Sequence, residues 1–128
     1  MNQKPKKVIL LIDYENIQNL NLSSVQEKDI YIKIFVGQNQ TKIPIALVQS
    51  TQVMGQRVEW ISIEGAGKNA LDFHIAFYLG KLSKDVGGEA FVIFSKDKGF
   101  DYLIEYVNKN NVNCQRIEDL KELETLSL

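Results

Sequence analysis

The feature that most constrains the fold is an aliphatic run at residues 8–12 that ends in Asp13. Five consecutive apolar residues leave no polar face for water, so the run predicts a β-strand that is covered on both sides. Such strands lie inside parallel sheets that have helices packed on both faces. Because ligands collect at the carboxyl ends of these strands, Asp13 is predicted to lie where a functional acid is expected.

The rest of the chain alternates between strand patterns and helix patterns. Four further strands are predicted, at residues 29–36, 58–63, 90–94 and 112–117. Helical patterns fall between and after them, at residues 16–26, from about 41 to a stop at Gly55, 68–82, 99–110 and 118–126. This alternation predicts a three-layer α/β/α fold whose mostly parallel sheet of about five strands has the order 3-2-1-4-5.

Length and composition set limits on the class of protein. The 128 residues suit one domain spanning 1–128, and 45% apolar with 24% charged residues is typical of a globular protein. A net charge of -1 excludes a strongly basic nucleic-acid coat, but it is compatible with an enzyme whose acids are concentrated at its centre. The first apolar run is too short for a signal peptide or a membrane span, so a cytoplasmic protein without membrane contact is expected.

Three aspartates follow the predicted strands at equivalent positions. Asp13 follows the first strand, Asp72 lies in the first turn of the helix after the third, and Asp97 follows the fourth. In the order 3-2-1-4-5 the first and fourth strands are neighbours, so Asp13 and Asp97 should face one crevice with Asp72 at its side. Asp101, just inside the next helix, is a fourth candidate for the same catalytic group.

Carboxylates that converge in this way need a compensating cation. With one cysteine and one histidine in the chain, a zinc site of thiolates and imidazoles is excluded, and oxygen ligands favour Mg²⁺ or Mn²⁺. Such an ion commonly joins carboxylates to substrate phosphates, which suggests water attack on a phosphodiester. For each aspartate alone, a turn-forming or helix-capping role is the competing interpretation.

Three sequence blocks resemble the motifs of PIN-like nucleases, particularly the branch that includes NYN domains: residues 12–16 (IDYEN), 67–72 (GKNALD) and 94–101 (FSKDKGFD). The resemblance implies a compact α/β/α ribonuclease domain that uses Mg²⁺ or Mn²⁺. By it, Asp13, Asp72 and Asp97 correspond to metal-coordinating acids, and Asn16 to a polar residue that supports the first of them. The blocks together extend over nearly the whole chain.

One position departs from the family pattern, and it leaves two functions open. Gly99 stands where many relatives carry a second acid after Asp97. We therefore expect either a ribonuclease acting on RNA, preferentially single-stranded, or an inactive PIN-like module that binds RNA or protein. The apolar helix at residues 68–82 further predicts a homodimer.

Polar residues beside the acids are candidates for substrate binding: Asn16, Lys68, Ser95 and Lys96. Asn16 fits a helix cap equally well, and Lys68 fits an ion pair with Asp72 as well as a contact to phosphate. Lys96 is suited to meet a nucleic-acid backbone.

Overall fold

The structure, a computed structural model, describes residues 7–17, 19–67, 69–85 and 88–126. Five strands and three α-helices account for most of these residues. The strands are β1 (Lys7–Asp13), β2 (Ile30–Val36), β3 (Val58–Ser62), β4 (Glu89–Phe94) and β5 (Asn113–Ile117). The helices are α1 (Ile45–Met54), α2 (Ala70–Asp85) and α3 (Phe100–Lys109).

The five strands form one sheet in which every pairing is parallel and the order is β3-β2-β1-β4-β5. This order confirms the predicted topology. β1 is central, because Ile12 pairs with Ile34 of β2 on one side and with Phe94 of β4 on the other. The carboxyl ends of β1 and β4 are therefore adjacent, which brings Asp13 next to Ser95 although the two residues are far apart in sequence.

The sheet separates two hydrophobic cores. Successive side chains of a strand point to opposite faces, so Leu10 and Ile12 belong to one core and Ile9 and Leu11 to the other. The first core includes apolar residues of α1, and the second includes those of α2 and α3. This arrangement is the predicted three-layer α/β/α fold. Because Leu10 is fully buried, its replacement by alanine would cost about 2–5 kcal/mol of stability.

Helix α1 ends at the predicted stop, Gly55, but it begins at Ile45 rather than near residue 41. Pro44 directly precedes the first residue of the helix, a place where its fixed φ is favourable and its missing N–H is not needed. Gly55 follows the last residue with a φ of 60°, and its N–H bonds back to the carbonyls of Thr51 and Gln52. A positive φ strains residues that carry a Cβ, so glycine suits this stop.

Two predicted helices are wrong. In the described part of residues 16–26 the structure forms only a short 3-10 turn, Ser23–Val25, and within residues 118–126 it forms another, Leu120–Glu124. Both segments contribute buried side chains to the first core, Ile17, Leu22 and Val25 from the first and Leu123 from the second. The spacing of these residues does not form the continuous apolar stripe that sustains a longer helix. The second turn begins with a capping box, in which Asp119 accepts from the Lys121 N–H and Glu122 bonds back to the Asp119 N–H.

Among the described residues, no helix has the length and apolar character needed to cross a lipid bilayer.

Candidate active site

Asp13 is the last residue of β1, and it is fully buried. Its Oδ2 atom accepts hydrogen bonds from Ser95 Oγ and from Asn16 Nδ2, both at 2.7 Å. Its Oδ1 atom accepts from the Asn16 backbone N–H at 3.3 Å. Burying a carboxylate costs free energy unless hydrogen-bond donors replace the water it loses. Here the donors are Asn16, in the turn after β1, and Ser95, in the loop after β4.

Ser95 connects Asp13 to Asp97. Its hydroxyl donates to Asp13 Oδ2 and accepts a hydrogen bond from the Asp97 backbone N–H at 3.0 Å. Ser95 is itself fully buried. The prediction that Ser95 contacts substrate is therefore wrong: both functions of its hydroxyl are used inside the protein, where they fix the acids relative to each other.

Asp72 and Asp97 form a pair at the surface end of this network. Asp72 lies in the first turn of α2, and its pKa is raised from 3.8 to about 6. Partial burial is the largest cause, followed by the negative charges of Asp97 and Asp13, a hydrogen bond from Asp72 to Asp97, and the charge of Glu15. The raised pKa identifies a place where negative charge is insufficiently compensated.

Glu15, whose side chain is exposed, is a further acid near this pair. Its charge contributes to the raised pKa of Asp72. Its carboxylate lies against Gly37, so closely that a Cβ at this position would collide with Glu15 Oε2. The sequence offers one signal for Glu15, which is its position two residues after Asp13. Gly37, which makes room for the Glu15 carboxylate, follows a different strand, β2.

A pocket of about 410 Å³ opens beside Asp72 and Asp97. It lies between the first turns of α2 and α3, and its lining combines polar and apolar groups. The residues are Asn69, Asp72, Phe73, Ala76, Asp97, Gly99, Phe100 and Leu103. Its size is within the range of pockets that hold small ligands or single nucleotides.

Asp101 does not join these acids. Its carboxylate accepts from Arg116 Nε at 2.7 Å and from Arg116 Nη2 at 3.3 Å, and this partner holds the Asp101 pKa below its usual value. Arg116 also donates to the Ser95 carbonyl at 3.0 Å and to Glu118 at 2.7 Å. The prediction of Asp101 as a catalytic acid is corrected: it fixes Arg116 under the loop that carries Asp97. No local pattern pointed to Arg116, which lies in β5.

The other predicted substrate-binding residues fall in different places. Asn16 is exposed, and both its amide and its N–H support Asp13, as the family resemblance implied. Lys96 is exposed but lines a different depression, with Asn19 and Glu118 among its neighbours. Lys68 lies outside the described residues.

His74, the single histidine of the chain, has a structural position. Its Nδ1 donates to the Ala70 carbonyl at 2.7 Å, and its Nε2 accepts from the Glu64 N–H at 3.2 Å. Both ring nitrogens are thereby used to attach the loop after β3 to α2.

The acids suit a hard divalent cation chemically. Within the described residues, no group of three or more histidine, cysteine, aspartate or glutamate side chains has a geometry that could hold a metal ion. Mg²⁺, however, commonly uses one or two protein carboxylates and completes its shell with water and phosphate oxygens. The adjacent Asp72 and Asp97, whose mutual repulsion a cation would relieve, fit this mode of binding.

The sheet is parallel and has the order 3-2-1-4-5, and acids converge where its first and fourth strands end. These two features define a class of α/β/α domains that have an acidic pocket at that edge of the sheet. The chain belongs to the PIN domain family, whose model matches residues 7–117. PIN domains are generally nucleases that bind nucleic acids and typically use divalent metals. The match confirms the resemblance; the NYN branch stays a prediction. No curated protein and no solved structure matches the chain significantly.

Proposed function

We propose that this protein is a divalent-metal-dependent ribonuclease that hydrolyses phosphodiester bonds of RNA, preferentially single-stranded, at the acidic pocket. The observation that carries the proposal is the pKa of Asp72, raised to about 6 by burial and by three neighbouring acids. A fold gains nothing in stability from such a cluster. Its cost is understandable if the acids bind a cation, and strongly perturbed groups in a pocket are characteristic of functional sites.

The residues would divide the work as follows. Asp72 and Asp97 hold Mg²⁺ or Mn²⁺, with Asp13 behind them as the third acid of the set. The ion would lower the pKa of a nearby water and offset the charge of the phosphate. Ser95 and Asn16 hold the carboxylate of Asp13 in place through hydrogen bonds. Lys96, exposed at the same edge of the sheet, attracts the RNA backbone as it approaches the acids.

Cleavage of single-stranded RNA tests this proposal. We expect hydrolysis in Mn²⁺ or Mg²⁺, its loss in excess chelator, and its loss in Asp97→Asn. Asp29→Asn is the matched control, because it makes the same chemical change at an exposed residue directly before β2, at the opposite edge of the sheet. Activity that survives chelator or Asp97→Asn would refute the proposal.

An inactive module that binds RNA or protein is the second candidate function. It is favoured by Gly99 at the position of a second acid and by the absence, among the residues described, of a ready-made three-ligand site. Thermal denaturation with Mn²⁺ separates the candidates, because an ion at a hundred times its Kd adds about 2.7 kcal/mol to the stability of the folded state. Unchanged melting together with no cleavage would favour the inactive module.

A homodimer through α2 belongs to the same proposal. Phe77 is 62% exposed on this helix, and exposed aromatic rings are common in interfaces between proteins. We expect light scattering to report a dimer that Phe77→Ala weakens. A monomer at high concentration would contradict this part of the proposal.

A further inference from the structure

The lining of the pocket beside the acids combines two chemically different kinds of group. Asp72 and Asp97 supply carboxylates. Phe73, Ala76, Phe100 and Leu103 supply apolar surface. A ligand that uses both kinds of group must carry a part attracted to the acids, directly or through a cation, and a flat apolar part within the length of one pocket.

Phe73 is the residue of this wall that packing does not explain. Its neighbour across the pocket, Phe100, is buried in the core, whereas Phe73 is 71% exposed. Large apolar side chains bury most of their surface when folding alone decides their place. Phe73 instead lines the same pocket as Asp72, the acid that precedes it in the chain.

We propose that Phe73 is a stacking platform for the base next to the scissile phosphate, so that it binds single-stranded RNA at the active site. This inference rests on the proposed function, since a cation held by the acids is what would position a phosphate beside them. A base is joined to its phosphate by a single sugar, and the pocket of about 410 Å³ accommodates a unit of that size. The ring of Phe73 then contacts the face of the base.

This position of Phe73 has a consequence for the choice of substrate. Bases in a duplex are stacked on one another, so their faces are not available to a protein ring. Unpaired bases can stack on an aromatic side chain whatever their identity, because every base has a π face. Phe73 therefore favours single strands over duplexes without selecting a sequence.

Binding experiments with the full chain test the inference independently of cleavage. The probe is a short fluorescent oligouridylate, compared with the same oligomer whose bases are replaced by abasic ribose units. Anisotropy is measured once in EDTA and once with Ca²⁺. Because stacking of one base on an aromatic ring contributes roughly 1–3 kcal/mol, Phe73→Ala should lose about 5- to 140-fold in affinity for oligouridylate. Its affinity for the abasic oligomer should be unchanged.

Three further variants make the result specific. Tyr106→Ala is the control, because Tyr106 is also an exposed aromatic residue of a helix, in α3, and does not line the pocket. It should bind both oligomers as the unchanged protein does. Phe73→Trp, which keeps an aromatic face, should restore the affinity, and Phe73→Leu should not. Melting temperatures close to that of the unchanged protein show that the variants are folded.

The outcomes distinguish this inference from the proposed function. Base-dependent binding that requires Phe73 would support the inference even if no cleavage is observed. Equal affinity of Phe73→Ala and the unchanged protein for oligouridylate would overturn it, even if metal-dependent cleavage is found. Loss of a dimer in Phe73→Ala with RNA affinity intact would assign the ring to a second copy of the chain, and would also overturn it.

Discussion

Replacing Asp72 by asparagine should stabilise the metal-free protein. Asparagine has nearly the shape of aspartate and can still donate a hydrogen bond to Asp97, but it carries no charge to repel Asp97, Asp13 and Glu15. In the unchanged protein this repulsion and partial burial raise the pKa of Asp72 from 3.8 to about 6. Ionising Asp72 at neutral pH therefore costs free energy that Asp72→Asn avoids.

The size of the effect follows from the pKa. At about 1.4 kcal/mol per pKa unit, a rise from 3.8 to about 6 corresponds to about 3 kcal/mol without screening. Asp72 is partly exposed, so solvent and salt reduce this value, and we expect a gain of about 1 kcal/mol. For a chain of this length, that gain raises the melting temperature by about 4 °C.

The raised pKa of Asp72 also determines the direction in which the stability of the protein changes with pH. Between pH 3.8 and about 6 the folded state holds the Asp72 proton more tightly than the unfolded chain does. The contribution of Asp72 to stability therefore falls as the pH rises through this window, and it is constant above it. The advantage of Asp72→Asn should be absent near pH 4 and complete by pH 7.

Thermal denaturation in EDTA at a series of pH values measures this difference. Asp101→Asn is the control, because it makes the same substitution at an acid whose pKa is lowered by Arg116, and it should reduce stability at neutral pH. An Asp72→Asn protein that is less stable than the unchanged chain at pH 7, or equally stabilised at pH 4 and pH 7, would refute the reasoning.

Three other substitutions probe the network around the acids. Ser95→Ala removes a donor from the buried Asp13 and should reduce both cleavage rate and stability, the latter by about 1–3 kcal/mol. Gly99→Asp places a second acid beside Asp97, where a Cβ would lie 3.0 Å from Asp97 Oδ1, and should lower metal-free stability while increasing the melting shift produced by Mn²⁺. Arg116→Leu removes the donor to the Ser95 carbonyl and the partner of two carboxylates, and should lower the melting temperature.

Each of the three substitutions has a control variant and a result that would contradict the prediction. Ser95→Thr retains the hydroxyl and should keep more activity than Ser95→Ala; equal activities would contradict a role for the hydrogen bond. Gly99→Asn has a similar volume without the charge, so an equal Mn²⁺ response in the two variants would show that the added carboxylate does not reach an ion. Arg116→Lys keeps the charge but not the planar fork, and full stability in it would mean that the specific geometry of Arg116 is unimportant.

The order of the strands and helices, and the edge of the sheet that carries the acids, could be predicted from the sequence. A continuous apolar run at residues 8–12 requires cover on both faces, and this alone indicates a central parallel strand. Alternation of strand and helix patterns then limits the topology to a few orders, of which the predicted one is confirmed. Asp13 and Asp97 could be placed near each other because both follow neighbouring strands.

Contacts between side chains depended on the tertiary structure. Ser95 bonds to Asp13 across 82 positions of sequence, and Arg116 bonds to Asp101 across 15. Local patterns report which face of an element is buried, but they do not report which donor a carboxylate will meet. For this reason Asp101 was expected among the catalytic acids and Ser95 at the substrate, whereas one pairs with Arg116 and the other is buried.

The sequence by itself thus determined the sheet, its order and the edge at which acids collect, because hydrophobic periodicity and strand ends are local properties. Only the tertiary structure decided which acids repel one another and which are neutralised by a partner, because electrostatic energies depend on distances between residues from different elements. Asp72 and Asp101 show the difference. Each lies in the first turn of a helix, yet one has a raised pKa beside other acids and the other a lowered pKa beside an arginine.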